Sequence, residues 1–158
     1  MLPKKILNEL EHDPELKEKV AYYMEKLEKI KIIPQVTEGH IKQLNSLLDD
    51  LYEEVQFDYT VAKNNHEDIK TKLDVVIKTN REGPNEQARA ASGYKRACEF
   101  PVEFDKRGRP TEVVNLFDLE SMFRWRVTIF EAILKIVEKK ADRLLSDLAV
   151  LKIESKVV

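Results

Sequence analysis

Glycine, proline and cysteine are scarce in this chain of 158 residues, which contains four glycines, six prolines and one cysteine. So few turn-forming residues are atypical of a β fold with many turns. Because Cys98 is the only cysteine, no disulfide can form within the chain, and we expect a reducing, cytoplasmic environment. The length is typical of one domain, so we expect a single helical domain over residues 1–158.

The chain also lacks any apolar run near the roughly 18 residues that a membrane-spanning helix needs. Its first residues do not contain the apolar core of a signal peptide. No P-loop or Gly-x-Gly-x-x-Gly pattern is present, and one cysteine with three histidines cannot supply a zinc finger. We therefore expect no membrane association, no cofactor and no metal site.

Charged residues make up 35% of the sequence, and apolar residues recur every three or four positions. This spacing predicts helices at about 3–11, 14–31, 38–79, 86–98 and 117–153. The apolar stripe of the last helix, from Leu119 to Leu151, is wide enough for the core-facing side of a bundle. The sequence therefore predicts a mainly α protein, built as a long-helix hairpin or helical bundle.

An insertion at residues 80–116 separates the two longest predicted helices, 38–79 and 117–153. Within it, residues 100–104 and 111–114 alternate apolar and polar side chains on either side of a turn that contains Gly108. This pattern predicts a small β-hairpin around residues 100–114. Since two strands alone are only marginally stable, the hairpin must pack against the helices. Gly93 lowers the helical propensity of residues 86–98.

Positive charge is concentrated in the middle of the chain. Residues 78–110 contain 8 Lys/Arg and 5 Asp/Glu, a net of +3, whereas residues 1–77 contain 11 and 16, a net of −5. The candidate binding residues in this segment are Arg81, Arg89, Lys95, Arg96, Lys106, Arg107 and Arg109. They suit the phosphates of a nucleic acid, with Tyr94, Phe100 and Phe104 available to stack on bases. They equally suit an acidic protein, the acidic half of this chain, or solubility alone.

Two further features lie on predicted helices. Trp125, between two arginines, lies off the main apolar stripe, so we interpret it either as packing against residues 94–104 or as an exposed partner-binding residue. Asp50, Glu53, Glu54 and Glu67 suit Mg²⁺, as similarly spaced carboxylates do in all-α nucleotide pyrophosphatases. The alternative for these acids is a solvated helix surface.

Residues 80–90, Asn-Arg-Glu-Gly-Pro-Asn-Glu-Gln-Ala-Arg-Ala, lie between two long predicted helices. This segment resembles a Lys-Asn-x-Glu-x-Arg-x-Ala connector in short phage-encoded helical-hairpin proteins of unknown function. The chain departs from that pattern by inserting residues 99–116. The resemblance implies a phage or mobile-element protein and no particular activity.

Together these features predict a non-enzymatic helical protein that binds a macromolecular partner, either another protein or a second copy of itself. Ile129, Ile133 and Ile136 lie beside the main stripe of the last helix as surplus apolar positions, which leaves room for a second chain in a homodimer. One alternative is a nucleic-acid-binding accessory protein that uses residues 78–110. The other is a Mg²⁺-dependent all-α nucleotide hydrolase.

Overall fold

The computed structural model describes residue 10, residues 12–30 and residues 37–157, the side chain of residue 157 excepted. Its helices are α1 (Pro14–Lys29), α2 (Glu38–Thr79), α3 (Glu86–Cys98) and α4 (Leu116–Val157), with strands β1 (Phe100–Phe104) and β2 (Pro110–Val114) between α3 and α4. The fold class predicted from the sequence is confirmed. The predicted helix at 3–11 lies outside the described residues, apart from buried Leu10.

Each helix begins where a short polar side chain satisfies a free backbone N–H group. Asp13 Oδ1 accepts a hydrogen bond from Leu16 N at 3.2 Å, and Pro14 occupies the first helical position of α1. Thr37, Asn85 and Asn115 play the corresponding role at the starts of α2, α3 and α4. The caps explain why observed and predicted starts agree to within one residue for all four helices.

The chain comprises two compact units. Unit 1 contains Met1–Tyr59 and Thr128–Val158, and unit 2 contains Thr60–Val127. The long helices α2 and α4 each contribute residues to both. The prediction of one domain over the whole length stays a prediction.

Unit 1 has a helical core to which α1, α2 and α4 contribute. Its largest fully buried side chains include Leu16, Ile41, Leu48, Ile129 and Ile133. The prediction that Ile129 and Ile133 are surplus positions facing a second chain is wrong, since they are 1% and 0% exposed within one chain. The same helix contacts both α1, where the rings of Tyr23 and Phe130 meet, and α2, where Tyr52 lies 3.5 Å from Glu138.

Lys140 of α4 caps the carboxyl end of α1. Its ammonium donates to the carbonyl oxygens of Leu27 at 2.8 Å and Ile30 at 3.2 Å. The last carbonyls of a helix have no partner inside the helix, and a cation there also interacts favourably with the helix dipole. Burial and the nearby Arg143 lower the pKa of Lys140.

Unit 2 has a smaller core, formed by Val76, Ala97 and Leu116. The side chains packed around these three come from α2, both strands and the start of α4: Leu73, Ile77, Phe100, Val114, Phe117 and Leu119. The predicted hairpin thus leans on helices, as its marginal stability requires. His66 of α2 and Glu120 of α4 lie 2.9 Å apart (Nε2 to Oε1) at this unit's part-buried edge.

None of the described helices combines the length and the apolar composition that a membrane-spanning helix needs.

Candidate partner-binding arm

The hairpin is anchored only at its base. Phe100 lies opposite Val114, and Pro101 opposite Val113, in the antiparallel register. Phe100 and Val114 pack against the core of unit 2, and Pro101 is buried. Beyond them, every residue from 102 to 113 is exposed except Asp105, which is half-buried. We call residues 102–113 the arm.

The turn at the tip of the arm is organised by Asp105. Its Oδ1 accepts hydrogen bonds from the backbone N–H groups of Arg107 and Arg109, both at 2.8 Å. Gly108 has φ +74°, a left-handed conformation that glycine adopts without steric cost. The turn therefore has a fixed shape, although its side chains lie in solvent.

Three cations lie at the tip, and the structure separates them into two kinds. Arg109 Nε lies 3.3 Å from Asp105 Oδ2, so this guanidinium has an ion-pair partner within the turn. Lys106 and Arg107 are exposed, and neither side chain has a hydrogen bond or ion pair with any described residue. They are the two cations of the arm that remain available to a partner.

Exposed apolar side chains accompany these cations. Val102, Phe104 and Val113 are all exposed, and Phe104, at 58%, lies beside the turn. The sequence singled out Phe104 as a residue available for stacking, but it gave no sign that Val102 and Val113 are exposed as well. A local pattern predicts a strand but does not show which of its faces the rest of the chain covers.

Acidic residues occupy the middle of the arm. Glu103 and Glu112 lie opposite each other in the register, which places two like charges on neighbouring strands. Such pairs are unfavourable unless a cation lies nearby. The arm contains three Lys/Arg, all at the turn, and three Asp/Glu, two of which lie on the strands. It therefore has a basic tip and an acidic middle, which we call the shaft, and is not a uniformly basic surface.

The other predicted site residues lie away from the tip. Lys95 and Arg96 are exposed in the last turn of α3, at the base of the hairpin, and a five-residue strand spans about 16 Å. Arg81 forms an ion pair with Glu86, and Arg89 Nε donates to Asn85 O at 3.3 Å. The seven cations therefore do not form one compact patch.

Trp125 of α4 is half-buried in unit 2. Its indole Nε1 is buried and has no hydrogen-bond partner in the described part of the chain. A buried donor without an acceptor costs about 1–3 kcal/mol. The ring is thus neither a fully exposed binding residue nor a fully satisfied core residue, and both interpretations of Trp125 stay predictions.

A second surface feature lies in unit 1, where α1 and α2 border an open depression of about 480 Å³. Tyr22 and Phe57 supply its exposed aromatic rings, and Glu53, Glu54 and Asp58 its carboxylates. We call it the aromatic–acidic depression. Phe57, at 69% exposed, is more exposed than any other large apolar residue described.

Hydrogen bonds between α1 and α2 hold this depression in shape. Tyr22 donates to Glu54 Oε2 at 2.9 Å, and Lys26 to Glu54 Oε1 at 3.1 Å. Lys19 lies 2.9 Å from Asp58 Oδ1, and the Tyr23 hydroxyl donates to the same carboxylate. Burial and the Asp58 carboxylate raise the pKa of Tyr23, so its phenol stays protonated as a donor. Hydrogen bonds with Tyr22 and Glu54 raise the pKa of Lys26.

The predicted Mg²⁺ ligands meet different environments. Glu54 is engaged by Tyr22 and Lys26, whereas Glu53 is exposed without a described partner, and Glu67 lies 3.8 Å from Lys70. Among the described residues, no group of three or more His, Cys, Asp or Glu side chains is arranged to hold a metal ion. The hydrolase hypothesis finds no supporting geometry in the described chain.

Comparison of this chain with protein-family models, with curated proteins and with solved structures finds no match, and so connects it with no enzyme family.

Proposed function

We propose that this protein is a non-enzymatic helical interaction protein that binds a macromolecular partner through the arm. The burial pattern of the hairpin carries the proposal. Phe100 and Pro101 hold the base, whereas both faces beyond residue 101 are open to solvent. A two-stranded hairpin without cover is marginally stable, and a partner that covers it supplies the missing contacts.

The chemistry of the exposed side chains supports the same proposal. Aromatic and arginine residues contribute most of the binding free energy at protein interfaces, and exposed Phe104 and Arg107 lie three residues apart in the sequence at the tip. Burying one exposed phenylalanine contributes roughly 1.5–3 kcal/mol. Lys106 and Arg107 would add charge complementarity, which increases the rate of association and the specificity of the contact.

A photo-cross-linker at the tip tests this proposal. With Phe104 replaced by p-benzoylphenylalanine in the full chain, irradiation in the source cells should give a cross-linked product of higher mass. Mass spectrometry then identifies the attached molecule. The matched control carries the same substitution at Val75, an exposed apolar residue of α2 outside the arm. If position 104 gives no more product than position 75, the arm contacts no partner and the proposal is wrong.

Nucleic-acid binding is the second candidate, favoured by the free cations Lys106 and Arg107 and by exposed Lys95 and Arg96. On this hypothesis, Lys106→Ala with Arg107→Ala should lower DNA affinity about tenfold or more. It should also reduce the slope of log K against log salt by about 2, one unit for each lost phosphate contact.

Fluorescence anisotropy titrations of labelled duplex and single-stranded DNA, repeated over a range of salt, measure both quantities. Lys135→Ala with Lys139→Ala, which removes the same charge from exposed positions on α4, is the control. Equal affinities and equal slopes for the two double variants would eliminate this candidate.

The cellular setting is also part of the proposal. Cys98 is free and exposed, which suits a reducing compartment, and we place the protein in the cytoplasm. The connector resemblance at residues 80–90 supports a phage or mobile-element origin.

A further inference from the structure

The tip of the arm and the aromatic–acidic depression have complementary chemistry. The tip presents an exposed phenyl ring, Phe104, and, two and three residues further along the chain, two unpaired cations, Lys106 and Arg107. The depression presents an exposed phenyl ring, Phe57, beside three carboxylates. Aromatic rings attract both other rings and cations, and carboxylates pair with lysine and arginine.

The charge within the depression is unbalanced. Lys19 and Lys26 each contact one carboxylate, at 2.9 and 3.1 Å, and these contacts engage Asp58 and Glu54. Glu53 is exposed and has no hydrogen bond or ion pair with any described residue. The depression can therefore accept a further cation without breaking an existing contact, and Glu53 is the residue to receive it.

Both complementary surfaces occur in one sequence, which distinguishes a second copy from other occupants. A closed dimer in which the arm of each copy occupies the depression of the other would contain two identical contacts. A nucleic acid suits this pair of surfaces less well, because its phosphates would approach Glu103 and Glu112 on the shaft. The charge distribution also favours a second copy, because residues 1–77, which contain the depression, carry a net of −5 and residues 78–110, which contain most of the arm, carry +3.

We propose that the arm of one copy docks in the aromatic–acidic depression of a second copy, with Lys106 and Arg107 at Glu53 and Phe104 against Phe57. The contact forms reciprocally in a symmetric dimer. This inference rests on the proposed function, since it assigns the partner of the arm.

A charge exchange between two separately purified full-length variants tests the contact. One variant carries Glu53→Lys, and the other carries Lys106→Glu with Arg107→Glu. Alone, each variant would place like charges together at both contacts, so its dimer dissociation constant should rise about tenfold or more. In an equimolar mixture, the heterodimer pairs opposite charges at both contacts, and its dissociation constant should return to within about threefold of the unmodified protein.

Sedimentation velocity over a concentration series gives these constants. Asp142→Lys, which reverses one exposed charge on α4 away from the depression, should leave dimerisation unchanged. An unmodified protein that remains at 18.5 kDa at all concentrations would overturn the inference, as would a mixture no more associated than its components. If the cross-linker at position 104 then captures a different molecule, the proposed function stands without this inference. If it captures nothing, both fail.

Discussion

Replacing Gly93 with alanine should destabilise unit 2 by about 2–4 kcal/mol. An added Cβ would lie 2.5 Å from the carbonyl oxygen of Ile77 and 3.3 Å from two further backbone atoms of that residue. These atoms belong to the backbone of α2 and cannot rotate away, so α3 would have to move off α2. The displaced helix carries Ala97, which is fully buried in the small core of unit 2.

The sign of this effect is diagnostic. Helix propensity alone predicts that alanine in the middle of α3 stabilises the protein by about 1 kcal/mol relative to glycine. Because the backbones of α2 and α3 approach closely at Gly93, we expect the opposite sign, a loss of stability.

Urea unfolding followed by tryptophan fluorescence suits this measurement, because Trp125, the only tryptophan, lies in unit 2. Gly39→Ala is the matched control, since a Cβ added there meets no atom within 4 Å. It should leave stability unchanged or slightly raised. A Gly93→Ala protein at least as stable as the unmodified chain would show that α2 and α3 are not in backbone contact.

Replacing Phe100 with alanine is expected to have the second-largest effect, a loss of about 2–3 kcal/mol. Phe100 packs against the core of Val76, Ala97 and Leu116, and the Lys72 ammonium lies 4.7 Å from its ring centroid. Removal of a fully buried phenyl ring costs about 3–5 kcal/mol, and this ring is only partly buried. The loss should appear in the same unfolding experiment. A change below about 0.5 kcal/mol would mean that the hairpin is not anchored at its base.

Helix periodicity predicted most of the fold because local rules decide it. Residues 38–79 and 86–98 were predicted with the bounds that the structure shows, since an apolar stripe and a capping side chain fix a helix within its own sequence. The hairpin was equally predictable from alternation around Gly108. The packing of the helices against one another was harder to predict from the sequence. Ile129 and Ile133 appeared surplus because the stripe of one helix does not show how many neighbours cover it.

The candidate surfaces could be predicted only in part. The cations at 106, 107 and 109 were visible in the sequence. The ion pair between Arg109 and Asp105, however, depends on the shape of the turn. Outward-facing Phe104 has the same sequence pattern as inward-facing Phe100. The depression joins residues of α1 and α2 that lie more than 30 positions apart, such as Tyr22 and Glu54, so no local pattern points to it.

The central claim is that the arm is free of the fold and available to a partner, and Phe104→Ala tests it most directly. Phe104 is the same residue type as Phe100, four positions along the same strand. At a protein concentration low enough to keep the chain monomeric, the free energy of unfolding of Phe104→Ala should lie within about 0.5 kcal/mol of the unmodified protein, as expected for exposed positions. A loss of about 2 kcal/mol or more, as at Phe100, would show that Phe104 is buried within the fold and would contradict the account.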